Sequence, residues 1–200
     1  EHPSAALHAR GVEYIEVRIM DLDPSSPIGM QSSTLYFIDV FLLYCMLRGD
    51  EYLGSAECSQ LRIMQQEIAS HGRDLDMDFD FGQGPTKLRT KAEDLLNSLA
   101  EVAEFLSSRT GNPAYKDAVD VQREKLSDES KLPSAQLLEL SKAQQGYQNA
   151  MLALSKKQQA EWMTRPLSAE LTSEFAQKAE RSLQDQAAIE AADEVDFDTF

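Results

Sequence analysis

Leu88, Ala92, Leu95, Leu99, Val102 and Leu106 recur at spacings of three and four. That interval returns a side chain to one face of an α-helix at every turn, and to no single face of a strand. A long amphipathic helix is therefore expected from about Lys87 to Ser108, and it needs other apolar faces to pack against. Ser32, Ser33 or Thr34 can cap a second helix running to about Arg48, with Gly49 as its stop. Its stretch from Leu35 to Leu47 is apolar nearly all round, which predicts a central, buried helix. The stretch contains Asp39 and falls short of the about 20 residues that cross a bilayer. A shorter helix is expected from about Ser59 to Ser70, closed by Gly72. Thr110-Gly-Asn-Pro113 punctuates the chain before a helix from Pro113 to Leu126. After a polar break through Ser127-Asp-Glu-Ser130, helices follow at roughly Ser134 to Thr164 and Ser168 to Ala192, with Pro166 between them.

Two segments read as extended. From Gly11 to Ile19 the residues alternate, with Ile15, Val17 and Ile19 on one face and Tyr14, Glu16 and Arg18 on the other, so a strand with one buried face is expected. Pro24, Ser25, Ser26, Pro27 and Gly29 then give a loop composition. Asp74-Leu-Asp-Met-Asp-Phe-Asp-Phe81 alternates acid and hydrophobe strictly, ending at Gly82, Gly84 and Pro85. The fold class is α+β and predominantly helical. Residues 1–30 form a strand and loop segment, and residues 31–200 form a mainly helical region without internal repeat. The tail Asp193-Glu-Val-Asp-Phe-Asp198 is an acidic run expected to stay solvated.

Nineteen basic residues against 34 acidic ones give a net charge of −15 over 200 residues. Such a chain repels nucleic acid and the anionic face of a membrane, although one or two arginines in a cleft can still hold a phosphate. The apolar fraction of 42% and charged fraction of 26% are those of a folded domain. Cys45 and Cys58 form no Cys-x-x-Cys and have no histidine at ligand spacing, so neither a zinc site nor a disulfide framework is indicated and a reducing, cytoplasmic setting fits. Cys45 is expected in the core, and Cys58 to be incidental. The opening at Glu1 lacks an initiator methionine and any basic-then-apolar leader, and reads as the middle of a longer protein.

Most patterns that suggest chemistry fail a closer test. In the acidic alternation at Asp74, Asp76, Asp78 and Asp80, each calcium-loop frame has Phe79 or Phe81 where a glycine is required, and Pro85 or Lys87 where a glutamate is required. A solvated strand face is expected instead. His2, His8 and His71 are scattered without a nucleophile pattern. Gly82-Gln-Gly84 is too short for a nucleotide-binding fingerprint, and Tyr147 and Trp162 read as core or surface anchors. Glu16 and Arg18 remain. Strand residues two apart share a face at about 6.5–7 Å, so one could ligate Mg²⁺ while the other reaches a phosphate oxygen, the two devices phosphoryl transfer needs. An ordinary surface ion pair has the same spacing.

The run Ala6-Leu-His-Ala-Arg-Gly-Val-Glu-Tyr-Ile-Glu-Val-Arg18, followed by Asp21 and Pro24-Ser-Ser-Pro-Ile-Gly29, resembles the Gly-Val-Glu-Tyr-Ile-Glu-Val-Arg signature of proteobacterial-type glutamate–cysteine ligases. Further similarity lies around Phe37 to Cys45, at Gly72-Arg73, and at Ile189-Glu-Ala-Ala-Asp193 with Phe197. The resemblance implies the C-terminal portion of such an enzyme, with the signature on a strand of a glutamine-synthetase-like antiparallel sheet. It implies ATP and Mg²⁺ (or Mn²⁺) as cofactors, Glu16 as a metal ligand, and Arg18 as the catalytic residue contacting the ATP phosphate. The implied substrates are glutamate, cysteine and ATP, with no nucleic acid or membrane partner; oligomeric state is left open. The family loop commonly reads Asn-Pro-Phe-Ser-Pro-Ile-Gly-Ile, whereas Asp23, Ser25 and Met30 stand here in place of Asn, Phe and Ile. Other metal and substrate groups of the family have no counterpart in these residues, so the chain by itself is expected to be inactive. A non-catalytic acidic helical interaction module is the competing expectation.

Overall fold

The computed structural model describes residues 2–49, 52–80, 84–193 and 195. Residues 81–83 and 196–200, which include Gly82 and Phe197, lie outside them. Eight helices dominate the described residues: α1 (Pro3–Arg10), α2 (Ser32–Leu47), α3 (Ser55–His71), α4 (Leu88–Thr110), α5 (Ala114–Ser127), α6 (Pro133–Ala143), α7 (Tyr147–Met163) and α8 (Ala169–Ala191). The short strands β1 (Asp78–Asp80) and β2 (Pro85–Lys87) pair antiparallel, with Phe79 opposite Thr86. The chain divides into two compact units, residues 1–152 and 153–200.

The core of the first unit lies where α2, α4 and α5 meet. Val40, Leu96, Leu99, Ala103 and Val119 are buried together, with Phe37, Tyr44, Tyr115 and Leu126 packed around them. The helical spacing of α4 is as expected, but the stripe is wider. Leu96 and Ala103, one residue beyond Leu95 and Val102, are the more deeply buried of each pair. Because α4 contacts two helices, its apolar face must span a wider arc than one row of side chains. The α4–α5 corner is local chemistry: Gly111 adopts φ +70° as the left-handed cap and donates its N–H to Ser107 at 2.9 Å. The Asn112 carboxamide then accepts from the Ala114 N–H at 3.1 Å to start α5. Arg89 and Arg123 cross from helix to helix, donating to the carbonyls of Leu126 at 2.7 Å and Leu96 at 3.1 Å.

Several expectations are corrected. Residues 11–22, where alternation predicts a strand, belong to no element. Ladder hydrogen bonds define a strand, and the described residues offer this segment no partner edge. Ile15, Val17 and Ile19 are accordingly exposed. The N-cap of α2 is Gln31, not a serine or threonine. That helix buries Val40, yet leaves Leu35, Met46 and Cys45 exposed, so it covers the core from one side and Cys45 is not a core residue. Helix α3 starts at Ser55, about one turn before the expected Ser59. The helix expected from Ser134 to Thr164 is two helices, broken where Gln145 (φ +59°) and Gly146 (φ +141°) leave the right-handed region.

In the second unit none of the described residues is buried. Helix α8 holds its form by local terms. The Ser168 hydroxyl accepts from the Leu171 N–H at 3.1 Å, and Lys178 pairs with Glu174 at 2.6 Å one turn away.

Candidate active site

Glu16 and Arg18 lie in the exposed segment between α1 and the turn at residues 23–31. The Arg18 guanidinium donates to the Glu16 carboxylate at 2.8 Å, so the two side chains do share a face, as their spacing predicts. Arg10 and Glu13 form a similar pair at 3.1 Å. Both partners of the Glu16–Arg18 pair are more than half exposed, at 56% and 79%. Its Coulomb energy is consequently screened and its contribution to stability small. What it offers is an anionic oxygen and a planar cation side by side, both open to a ligand.

The segment is anchored at its C-terminal end by a compact turn that the sequence shows only as loop composition. Asp23 is its centre. Its carboxylate accepts from the Ser25 N–H at 2.8 Å, the Ser25 hydroxyl at 2.6 Å and the Gln31 side-chain amide at 3.0 Å. Its own N–H donates to the Gly29 carbonyl at 2.9 Å, closing the loop on itself. Ser26 is buried beneath and donates to the Met30 carbonyl at 2.8 Å. Gly29 has φ +76°, and a Cβ there would stand 2.9 Å from Leu22 Cδ2, so both the conformation and the contact favour glycine. Asp23 could have been found from the sequence, because Asp-x-Ser is an aspartate-turn signal.

Partial burial raises the proton affinity of Asp23, but the hydrogen bonds from Ser25 and Gln31 and the field of Lys125 outweigh it, holding the carboxyl below the usual range. Lys125, on α5, is itself pushed below the ordinary lysine range by burial, an effect its attraction to Asp23 offsets only in part. The turn thus sits electrostatically against α5, the helix that contributes Val119 to the core.

Among the described residues no group of three histidine, cysteine or carboxylate side chains is arranged to hold a metal ion, which includes the run Asp74 to Asp80. Glu16 alone offers one hard oxygen donor. That donor suits Mg²⁺, which is bound through one or two carboxylates with phosphates and water completing the shell. Elsewhere in the first unit, a shallow groove at the α4–α5 ends is lined by Arg73, Asp76, Arg89, Ser127 and Glu129. Its arginines already face Glu129 at 3.9 Å and Asp76 at 4.0 Å. Tyr147 and Trp162 lie at the surface, Trp162 beneath the Arg165 guanidinium at 4.4 Å. No described helix is long and apolar enough to cross a membrane.

Residues 1–68 match the sequence family described as glutamate-cysteine ligase. Over its whole length the chain is 37% identical to the glutamate–cysteine ligase of Pseudomonas savastanoi pv. phaseolicola and 34% identical to that of Pseudomonas paraeruginosa. It spans 38% of the length of each. Among solved structures, the glutamate–cysteine ligase of Francisella tularensis in complex with AMP superposes with a TM-score of 0.82 at 28% identity, covering 98% of this chain and 39% of that one. In sequence from end to end, and in fold over nearly all its length, the chain is similar to a part of the glutamate–cysteine ligases that spans 38–39% of their length.

Proposed function

We propose that this chain carries part of the catalytic machinery of an ATP-dependent ligase joining the γ-carboxylate of glutamate to the amine of cysteine, the first step of glutathione biosynthesis. The observation that carries the reading is the exposed Glu16–Arg18 pair, 2.8 Å apart, within residues 1–68 that match the ligase family. The AMP bound to the Francisella relative supports a nucleotide as the energy source. In this reading residues 1–30 are the catalytic segment and residues 31–200 its helical support. Two cysteines free of any disulfide suit a cytoplasmic enzyme.

The reaction begins with two anions. An oxygen of the glutamate γ-carboxylate attacks the γ-phosphorus of ATP, and the bond to the β-phosphate oxygen breaks, giving γ-glutamyl phosphate and ADP. The cysteine amine then attacks the acyl carbon, inorganic phosphate leaves, and the amine loses a proton. The Arg18 guanidinium reaches a phosphate oxygen with a planar fork, lowering the repulsion and holding the charge that accumulates on the transferred group. Glu16 would hold Mg²⁺ (or Mn²⁺) through one carboxylate oxygen, and the cation would supply neutralisation of phosphate charge. These steps need no cysteine of the chain as a nucleophile.

The test is ADP release by the complete enzyme with ATP, Mg²⁺, glutamate and cysteine. Release should require glutamate and be lost or sharply reduced in Arg18→Lys and Glu16→Gln. Unchanged turnover in both variants would leave Glu16 and Arg18 as surface residues.

A further inference from the structure

The Glu16–Arg18 segment makes no backbone hydrogen bond to any described element between residues 12 and 22. Its course beyond residue 22 is set by what lies immediately after it, and there the backbone is tightly held. Asp23 N–H to the Gly29 carbonyl (2.9 Å), Ser26 N–H to the Asp23 carbonyl (3.1 Å) and Gly29 N–H to the Ser26 carbonyl (3.0 Å) make one closed turn. Side chains tie the turn to the helical core: Lys125 on α5 attracts the Asp23 carboxylate, and Gln31 reaches it from the start of α2. Gln31, whose amide donates to Asp23 Oδ2 at 3.0 Å and to Ser25 Oγ at 3.2 Å, is the N-cap residue of α2. Helix α2 in turn buries Val40 against Leu99 and Val119.

We propose that Asp23 is a positioning residue: through Ser25 and Gln31 its carboxylate fixes the direction in which the Glu16–Arg18 segment leaves the helical core. The proposal rests on the active-site reading above for its catalytic consequence, though not for its structural one. Small shifts matter here because a misplacement of about 1 Å in a phosphate-gripping group costs on the order of 10²-fold in rate. Three hydrogen bonds converge on one carboxylate, so removing that carboxylate releases the turn as a unit.

Two measurements on the complete enzyme test the idea, using Asp23→Ala, Asp23→Asn and Gln31→Ala. Hydrogen exchange reports the turn directly. Asp23→Ala should speed exchange of the hydrogen-bonded amides of Asp23, Ser25, Ser26 and Gly29 by roughly tenfold, the scale of one lost charge-assisted hydrogen bond, while the α4 amides from Leu95 to Leu106 stay unchanged. Asp23→Asn keeps an acceptor for Ser25, and the Gln31 amide can flip to present its oxygen to the new amide, so exchange should return to within about twofold of the parent. Gln31→Ala severs only the link to α2 and should act in the same direction as Asp23→Ala. Turnover reports the consequence. The kcat of Asp23→Ala should fall by about tenfold, but hardly further when added to Arg18→Lys, because both act on one contact.

Unchanged exchange of the turn amides between Asp23 and Gly29 in Asp23→Ala and Gln31→Ala, or equal acceleration throughout α4, would overturn the proposal. Faster exchange confined to the turn, with full turnover in both Asp23→Ala and Arg18→Lys, would uphold the positioning role and remove the active-site reading instead.

Discussion

The Arg18 guanidinium and the Glu16 carboxylate, two residues apart and joined at 2.8 Å, are each other's partner on a segment that also carries Glu13, paired with Arg10 at 3.1 Å. A cation taken up by Glu16 competes with Arg18 for the same oxygens, so ligand binding and release of this ion pair are linked. The first prediction follows from that competition.

In the complete enzyme, Arg18→Lys keeps the positive charge but loses the planar fork, and the expected loss is roughly 10²–10³ in kcat. Glu16→Gln weakens cation affinity, so part of its defect should recover at high Mg²⁺ while that of Arg18→Lys does not. Both side chains are exposed, and neither change should move the melting temperature. Metal titrations of the two variants beside thermal melts check both halves.

Leu99 is fully buried between α2 and α5. Leu99→Ala should cost about 2–5 kcal/mol through lost burial and the cavity left behind. Circular dichroism melts measure it. A cost below about 1 kcal/mol would mean the three helices do not form the chain's core.

The Ser107 hydroxyl is buried on α4 without a hydrogen-bond partner. Ser107→Ala removes that unsatisfied group and improves helix propensity, for an expected gain of roughly 0.5–1.5 kcal/mol. Urea unfolding should show a higher midpoint at unchanged slope.

Asp23 titrates below the usual carboxylate range in the folded chain. A carboxyl with a lowered folded pKa binds fewer protons folded than unfolded, so its contribution is present above the unfolded value, about pH 4, and is lost as pH falls through the folded one. The melting-temperature difference between the parent and Asp23→Asn should therefore be constant from pH 7 to about pH 5 and shrink below about pH 4. A difference that grows on acidification would reverse the sign.

The helical body was legible because its signals are local. Gly111 and Pro113 mark the α4–α5 corner, and Ser168 caps α8 where the pattern places it. The break between α6 and α7 carries one sequence signal, Gly146, but a lone glycine inside a helical pattern does not by itself end a helix, and Gln145 reaches positive φ without being glycine. Cys45 and Leu35 read as core because an all-apolar helix was assumed to be covered all round, and among the described residues it is covered on one side. The alternation of residues 11–19 describes a strand's side chains correctly, as the Glu16–Arg18 contact shows, but side-chain alternation cannot provide a partner edge. For the site, spacing yielded the pair and the family resemblance its roles. Asp23-x-Ser25 marks the turn locally, whereas its tie to α2 depends on Gln31, eight residues on, which no local signal shows.

Trp162 is the chain's one tryptophan. It lies near the end of α7, in the unit of residues 153–200, with Arg165 across its ring at 4.4 Å. Tryptophan fluorescence therefore reports directly on a half-exposed indole lying beneath a guanidinium. A tryptophan introduced at Tyr115, beside Tyr36 in the α2–α5 contact at 5.0 Å between ring centroids, would give the core an optical signal of its own.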